Sequence, residues 1–426
     1  SEQVINNLPE IDEWLDENFI IENKLINWNE SIRKLHTSKD GKNNQSKSFR
    51  RIVFDELCAN FLTLSENRER IKINKLPKKF TIKDSELIKK SLPFELTNDQ
   101  EKVLNEVNRD LLSDKRMFRI VQGDVGSGKT IVSLLSILNV IKSGYQCALM
   151  SPTEILAKQH YTLIKKIFEN ENFSIEFLTG KTEYKFRKDI LTNLTSGKIK
   201  LLVGTHALFQ KKINFRKLGL VVIDEQHKFG VNQRKRLSDK GGNNCDVLLM
   251  TATPIPRTLT MTLYGDMDLS IIREKPKSRK PIQTYSKLES KIDDVVKFIK
   301  KELKFGNQVF WVCPLIEESK KLDHSSAVKK FDYLDKLFPN QVSLLHGKTD
   351  LADKEIILDN FLKNKFQILV STTIIEVGID FPNANVIIIE NANKFGLSQL
   401  HQLRGRVGRG SKESTCILMF KSNLSE

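Results

Sequence analysis

The fold of this chain is decided by the stretch MFRIVQGDVGSGKT, residues 117–130. Its apolar start, residues 117–121, predicts a buried strand, and the apolar run at 131–141 predicts a helix. Between them lies the pattern Gly-x4-Gly-Lys-Thr, in which glycines turn backbone N–H groups toward a phosphate and the helix N-terminus adds positive potential. We therefore expect a phosphate-binding loop, although a glycine-rich turn between a core strand and a core helix gives the same pattern.

The loop also predicts which residues hold a nucleotide and its cation. Lys129 is placed to reach the β- and γ-phosphates, and the Thr130 hydroxyl is placed to ligate Mg²⁺. The remaining phosphate contacts are expected from the loop residues Gly123, Asp124, Val125, Gly126, Ser127 and Gly128.

Composition narrows the class of protein. Lys and Arg number 69 against 53 Asp and Glu, and the resulting net charge of +16 favours a polyanionic partner. No apolar run approaches the roughly 18 residues of a membrane span, and the first residues do not read as a signal peptide. Five cysteines are scattered without a C-x-x-C pair, which indicates reduced thiols and a cytosolic protein.

Residues 1–84 predict a small helical segment. Apolar residues recur at helical spacing in 11–19 and again in 49–64. The polar stretch between them, residues 37–48, predicts a mobile surface loop. Nothing in this segment suggests chemistry.

From residue 117 onward, strands alternate with helices. Continuous apolar runs are typical of parallel sheets covered on both faces. They predict strands at 117–122, 146–151, 174–179, 199–203, 219–224 and 246–251. The basic, proline-bearing stretch 269–281 predicts a linker. A second series without a phosphate loop follows it, with strands expected at 308–313, 341–345, 366–371, 386–390 and 415–419.

Two acids follow one of the buried strands. Residues 221–223 form the strand, and Asp224 and Glu225 come at its carboxyl end, where open α/β sheets bind ligands. We expect Asp224 to hold Mg²⁺ and Glu225 to orient and deprotonate the attacking water. A solvated pair of acids at a strand end is the alternative.

Two shorter features lie on either side of these motifs. Thr97 is placed to cap a helix that begins at Asn98, and the Gln100 amide is placed to bond an adenine edge. Thr251 and Thr253 lie in a turn stiffened by prolines, where they are expected to pass the state of the nucleotide to another surface.

The segment QLHQLRGRVGRG, residues 399–410, places three arginines, Arg404, Arg406 and Arg409, among glycines. A basic surface patch for nucleic-acid phosphates is one interpretation. In the sharper one, Arg406 and Arg409 face the γ-phosphate held by the first domain, as arginine fingers. The site would then be complete only when two domains close, which couples hydrolysis to movement.

Taken in order, these motifs resemble those of superfamily 2 helicases and translocases: LTNDQ, GDVGSGKT, SPTEILAKQH, VGTHALF, DEQH, TATP, STTIIEVGID and QLRGRVGR. Within that superfamily, VQGDVGSGKT, IDEQHKFGVNQR and TATPIPRTL are most similar to the RecG family of branched-DNA translocases. The motor of the transcription-repair coupling factor typically has Glu where Gln226 stands. Lys228 departs from the arginine usual in the RecG family but keeps the charge.

The resemblance implies the fold class. It is α/β, with two tandem RecA-like parallel-sheet domains preceded by a small helical segment. The implied boundaries are a helical connector at 1–85, an ATP-binding helicase domain at 86–272 and a C-terminal helicase domain at 273–426. The family's oligonucleotide-fold wedge and its translocation hairpin are not recognised in the sequence, so we expect a motor core in which fork processing is weak or uncoupled.

The resemblance also implies an activity and its residues. The activity is ATP- and Mg²⁺-dependent helicase or translocase action on branched double-stranded DNA, such as stalled forks and Holliday junctions, in repair and recombination. A monomer in the bacterial cytoplasm, associated with the nucleoid, is expected. The implied catalytic residues are Lys129, Asp224, Glu225, Gln402, Arg406 and Arg409, and the nucleotide contacts include Gln100, Gly378 and Asp380. Contacts to the DNA backbone are implied for Thr153, Gln159, Thr205 and His206, with a structural role for His206 equally open.

Three other functions stay open. One is a DNA translocase like the coupling factor, and one is an RNA helicase. The third is a nucleotide-gated clamp that binds nucleic acid without using hydrolysis, although such a clamp needs neither a catalytic base nor arginine fingers.

Overall fold

The computed structural model describes residue 7 and residues 9–37, 46–71, 74–210, 212–225, 241–252, 267–276, 280–314, 320–346, 349–372, 381–408 and 412–421. The described residues before 72 belong to one compact unit, and those in 74–252 and from 268 onward belong to a second. Within these ranges, no helix has the length and apolar character needed to cross a membrane.

The first unit is helical, as predicted. Its helices are α1 (Glu17–Glu22), α2 (Trp28–Thr37) and α3 (Lys47–Ile71). The buried Arg51 guanidinium ties α3 to the segments before α1 and α2, since it donates to the Glu13 carboxylate and the Ile26 carbonyl oxygen as well as to Asp55 on its own helix. The helical prediction for residues 11–15 is wrong, because the Asp16 side chain accepts from the Asn18 N–H and so starts α1 at Glu17. Most of the loop predicted at 37–48 lies outside the described residues.

The second unit contains two parallel sheets, and we call the residues around the first sheet lobe 1. Lobe 1 has seven strands in the order β3-β4-β2-β5-β6-β1-β7. They are β1 (Phe118–Gly123), β2 (Gln146–Met150), β3 (Ser174–Leu178), β4 (Ile199–Gly204), β5 (Leu218–Ile223), β6 (Asp246–Thr251) and β7 (Asp268–Ile272). Its helices are α4 (Ile82–Ser91), α5 (Asn98–Leu112), α6 (Lys129–Lys142), α7 (Glu154–Ile167) and α8 (Tyr184–Ser196).

The residues around the second sheet form lobe 2, whose six strands are also all parallel, in the order β10-β11-β9-β12-β13-β8. They are β8 (Ile282–Leu288), β9 (Gln308–Val312), β10 (Val342–Leu345), β11 (Ile368–Ser371), β12 (Ala384–Ile389) and β13 (Ser414–Phe420). Its helices are α9 (Ile292–Lys304), α10 (Lys320–Leu337), α11 (Leu351–Leu362) and α12 (Leu397–Arg404).

The eleven strands predicted from apolar runs are confirmed to within two residues. Nine of them lie inside their sheets, where burial on both faces needs continuous apolar sequence, and the edge strands β3 and β10 also contain enough apolar residues to be found. The linker predicted at 269–281 is wrong at its start. Residues 268–272 are β7, which pairs with β1 at the edge of the lobe 1 sheet. The edge strand β8 was also not predicted, because most of its side chains are polar and exposed.

The predicted fold class of two tandem parallel-sheet lobes after a helical segment is therefore confirmed, while the domain boundaries at 85/86 and 272/273 stay predictions. In lobe 1, the carboxyl ends of β1, β5 and β6 lie side by side in the sheet, because these strands are neighbours in the order β5-β6-β1. The phosphate loop, the acid pair and Ala252, which follows β6, meet at that edge.

Candidate active site

The loop between β1 and α6 has the backbone that a phosphate-binding loop needs. Gly126 and Gly128 have φ of +74° and +87°, in the left-handed region that glycine adopts without strain. A Cβ at Gly128 would lie 2.1 Å from Gln100 Nε2, and one at Gly123 would lie 2.4 Å from Ser127 Oγ. Gly123 and Gly128 therefore leave no room for a Cβ, and Gly128 also requires glycine for its conformation.

Gln100 connects this loop to the start of α5. Its side-chain oxygen accepts from the Thr97 N–H at 2.9 Å, and the Thr97 hydroxyl accepts from the Gln100 N–H, which makes a capping box. Its Nε2 donates to the Ser127 carbonyl oxygen at 2.7 Å. Gln100 thus orients the phosphate loop, and its expected contact with adenine stays a prediction.

The side chains of the loop fit a bound triphosphate. Lys129 is 8% exposed, and its Nζ donates to the carbonyl oxygens of Gly123 at 2.6 Å and Asp124 at 3.0 Å. Within the described residues, the buried Ser127 hydroxyl has no hydrogen-bond partner. The glycine cradle, this hydroxyl and the lysine match the chemistry of phosphate oxygens. Thr130 and Asp224 offer the hard oxygen ligands that Mg²⁺ prefers.

The acid pair is buried and held from three directions. Asp224 donates its N–H to the Met150 carbonyl oxygen of β2 at 2.8 Å, and its Oδ1 accepts from the Glu225 N–H. Glu225 has a φ of +49°, which is strained for a side chain of this size, and its Oε2 accepts from the Ala252 N–H just after β6. The two carboxylates are therefore fixed relative to both neighbouring strands.

The two acids differ in electrostatic environment. Burial alone would raise the pKa of Asp224, but the hydrogen bond and charge of His160, together with the charge of Lys129, hold it below its usual value. Burial and the charge of Asp224 raise the pKa of Glu225, and Lys129 and Arg406 only partly oppose that rise. Asp224 therefore stays ionised and suits a cation, whereas Glu225 is the better proton acceptor.

His160 is a residue of this site that the sequence reasoning missed. Its Nε2 lies 2.8 Å from Asp224 Oδ2, and because the ionised carboxylate can only accept, the ring nitrogen donates. The sequence does contain a signal for His160. It shares helical spacing with Leu156, Ala157 and Ile164, and it is the one polar side chain among these buried residues of α7.

We expect His160→Ala to raise the Mg²⁺ concentration needed for half-maximal ATP turnover and to lower turnover by about 10–100-fold, as loss of a partner that orients a metal ligand does. His160→Gln keeps an N–H donor and should recover most of both effects. Mg²⁺ titrations of ATP turnover on the three proteins provide the measurement. Equal Mg²⁺ dependence in all three would show that His160 only fills space.

Lobe 2 contributes the other side of the site through α12 and the residues after it. His401 Nε2 lies 3.1 Å from Asp124 Oδ1 in the phosphate loop, and a Cβ at Gly405 would lie 3.1 Å from Val125 Cβ. Arg406 is 2% exposed, and its charge opposes the rise in the pKa of Glu225. The lobe 2 arginine predicted to face the first domain is thus buried within electrostatic range of the lobe 1 acid.

The residues that follow β7, 273–276, also reach the phosphate loop, and we call this segment the strap. Lys275 Nζ lies 2.7 Å from Asp124 Oδ2, and the Asp99 carboxylate accepts from the N–H groups of Arg273 and Glu274. Burial alone would raise the pKa of Asp124, but the hydrogen bond and charge of Lys275, with the Val125 N–H and His401, lower it. Asp124 therefore binds both the strap and lobe 2 as an anion.

The remaining predicted residues fall into two groups. The first group lies within the described residues. Gln402 is half-buried on α12, and Thr153 caps α7 by accepting from the Leu156 N–H. Thr205 is buried just after β4, and the next residue, His206, is exposed. Arg409, Gly378, Asp380, Thr253, Gln226 and Lys228 lie outside the described residues. The nucleotide and DNA roles of both groups stay predictions.

Comparison with protein families defines the class. The DEAD/DEAH box helicase family matches residues 97–262, and the helicase conserved C-terminal domain matches residues 290–411. Together with the two parallel-sheet lobes, these matches define the class of the chain as that of the superfamily 2 helicases. The structure of Mss116p bound to single-stranded RNA, 19% identical with a TM-score of 0.59, shares this fold.

Individual relatives narrow the class further. The ATP-dependent DNA helicase RecG of Bacillus subtilis is 48% identical over 87% of this chain and 55% of the relative, and that of Escherichia coli O157:H7 is 41% identical over 93% and 59%. A structure of RecG bound to a three-way DNA junction has a TM-score of 0.81 and 40% identity, over 98% of this chain and 55% of that chain. The chain belongs to the RecG family. It spans about half the length of the curated relatives it matches.

Proposed function

We propose that this chain is the motor of an ATP-dependent DNA helicase or translocase of RecG type that acts on branched DNA. The observation that carries the proposal is the buried Arg406 of lobe 2, whose charge acts on Glu225 of lobe 1. A buried guanidinium that acts electrostatically on a carboxylate of raised pKa is typical of a site where charge develops during reaction.

In the proposed reaction, different residues of the chain bind ATP, activate the attacking water and stabilise the transferred phosphoryl group. Lys129 and the N–H groups of the phosphate loop bind the phosphates, while Thr130 and Asp224 would hold Mg²⁺, which would offset the negative charge of the phosphates. Glu225 takes a proton from the attacking water as its oxygen bonds to the γ-phosphorus, while the bond from that phosphorus to the β–γ bridging oxygen breaks and ADP leaves. Gln402, Arg406 and Arg409 stabilise the transferred phosphoryl group from lobe 2.

Coupling to movement follows from the contacts between the lobes. Asp124 and Val125 in the phosphate loop meet His401 and Gly405 of lobe 2, so a change at the phosphates is transmitted directly to α12. Closure of the lobes around ATP, followed by opening after hydrolysis, would step the motor along the DNA. Both halves of the site come from one chain, so we propose that the motor acts as a monomer.

The proposed partner is branched double-stranded DNA. Its support is the net charge of +16 and the likeness to a RecG structure bound to a three-way DNA junction. Backbone contacts are proposed for Thr153, Gln159, Thr205 and His206. A role in DNA repair and recombination in the bacterial cytoplasm, close to the nucleoid, follows from this substrate.

ATP turnover measured with different nucleic acids tests the proposal. The full chain is assayed without nucleic acid, with a three-way DNA junction, with linear duplex DNA of equal length and with an RNA junction of the same shape. We expect the DNA junction to stimulate most, linear duplex less and RNA least. Turnover that is the same in all four assays would contradict a nucleic-acid motor, and preference for RNA would indicate an RNA helicase.

A further inference from the structure

The first turn of α8 exposes two aromatic side chains to solvent. Tyr184 is 83% exposed, more than any other aromatic residue in the described part of the chain, and Phe186 is 60% exposed. Two residues apart on a helix, the rings point to different sides of the first turn and cannot cover one another. Each therefore presents a bare aromatic face to water.

The charge around these rings is mainly positive. Between Gly180 and Ile190 the basic side chains are those of Lys181, Lys185, Arg187 and Lys188, against the acidic Glu183 and Asp189. Lys185 and Lys188 are exposed beside the two rings. Exposed aromatics among lysines and arginines suit a partner that has both flat π-faces and negative charge. An apolar protein surface would gain little from the lysines.

The position of the rings connects them to two motifs with proposed DNA contacts. Lys181 Nζ lies 3.5 Å from the Glu154 carboxylate, next to Thr153 at the start of α7. Arg187 donates to the Gln210 side-chain oxygen, just after the turn that contains His206. The rings thus adjoin the side of lobe 1 to which both motifs belong.

The loop before α8 holds this first turn in place. The Thr179 N–H donates to Thr182 Oγ1 at 3.0 Å, and the Lys181 N–H donates to Thr179 Oγ1 at 3.2 Å. The start of α8 is therefore a fixed projection from the carboxyl edge of the sheet. Exposed aromatics on a fixed support lose little conformational freedom on binding a ligand.

We propose that Tyr184 and Phe186 form a stacking site for unpaired nucleotides at the branch point of the DNA substrate. This inference rests on the proposed function and specifies which part of the DNA the site takes. In paired DNA each base is stacked between its neighbours, whereas an unpaired base has a face available for a ring. Lys185 and Lys188 would bind the phosphates that flank it.

Binding by fluorescence anisotropy tests the stacking site. The DNAs are a three-way junction with several unpaired nucleotides at its branch, the same junction fully paired, and a linear duplex. In Tyr184→Ala/Phe186→Ala we expect Kd for the junction with unpaired nucleotides to rise by about tenfold, on the scale of one lost base–aromatic stack. Kd for the linear duplex should stay close to that of the unmodified chain.

Two control variants make the result specific. Tyr184→Phe keeps the ring and should bind all three DNAs like the unmodified chain. Phe305→Ala removes a phenylalanine that is 62% exposed and follows a lysine, but in the turn before β9, at the amino-terminal edge of the lobe 2 sheet, and should change none of the affinities.

Three other outcomes of these binding measurements have distinct meanings. Equal weakening on all three DNAs would overturn the stacking site in favour of general charge or fold effects. Unchanged affinities in the double variant would overturn it and leave a protein as the occupant. If the unmodified chain itself binds none of the DNAs, the proposed function fails, which is a result distinct from either of these.

Discussion

Arg406→Ala is expected to lower ATP turnover by about 10³-fold or more, the range measured for arginine fingers. The residue lies in lobe 2, yet it is buried and acts on the charge of Glu225 in lobe 1. Since the proposed role of its charge is to stabilise the γ-phosphoryl group during transfer, the loss should fall on turnover, while the affinity for ATP should be largely kept. Turnover at saturating ATP, with binding of a fluorescent ATP analogue, separates the two quantities.

Two further variants show whether the loss of turnover is specific to the Arg406 guanidinium. Arg406→Lys keeps a positive charge but not the planar fork, and should fall between Arg406→Ala and the unmodified chain. Arg216→Ala removes an arginine that donates to the Ser196 carbonyl oxygen on the surface of lobe 1, and should leave turnover unchanged. If Arg406→Ala turns over ATP at the normal rate with normal thermal stability, lobe 2 does not complete the site.

Glu225→Gln is expected to lower ATP turnover by about 10²–10⁴-fold, the contribution of a general base. The amide has the size of the carboxylate and its oxygen still accepts from the Ala252 N–H, so the buried site should keep its structure. It cannot take the proton of the attacking water. ATP binding and ATP-dependent binding of a DNA junction should therefore persist while turnover and strand movement are lost.

This variant separates the motor from a nucleotide-gated clamp. A clamp needs ATP binding alone, so its DNA-related activity would survive Glu225→Gln, whereas a motor stops. Glu171→Gln is the matched control, since Glu171 pairs with Lys142 on the surface of lobe 1, outside the proposed site. Strand movement that continues in Glu225→Gln would show that hydrolysis does not drive it.

Much of the fold could be predicted because its central strands are buried on both faces. Strands such as β2, β5 and β6 need unbroken apolar sequence, and each was found from that property. The edge strands β7 and β8 were not found in this way, although the edge strands β3 and β10 were. The short strand β7 runs directly into the basic, proline-bearing stretch that predicted a linker, and β8 is mostly exposed, so its polar sequence lacks the apolar run of a buried strand.

The candidate site was predictable where the chemistry is local and hidden where it depends on tertiary contact. The phosphate loop and the pair Asp224–Glu225 each lie within a few residues of sequence beside a strand. The contact of His160 with Asp224 joins residues 64 positions apart, and that of His401 with Asp124 joins residues 277 apart. Spacing along the chain contains no signal for either pair, since both depend on how helices pack beside the sheet edge.

In the proposed site, lobe 1 holds the triphosphate and Arg406 of lobe 2 completes the set of catalytic groups. A structure of the chain with ADP, aluminium fluoride and Mg²⁺ is the decisive test of this arrangement. We expect the Arg406 guanidinium within hydrogen-bonding distance of the fluoride that replaces the γ-phosphate, with Glu225 facing the attacking water. A complex with ADP in the phosphate loop and Arg406 turned away from the fluoride would contradict it.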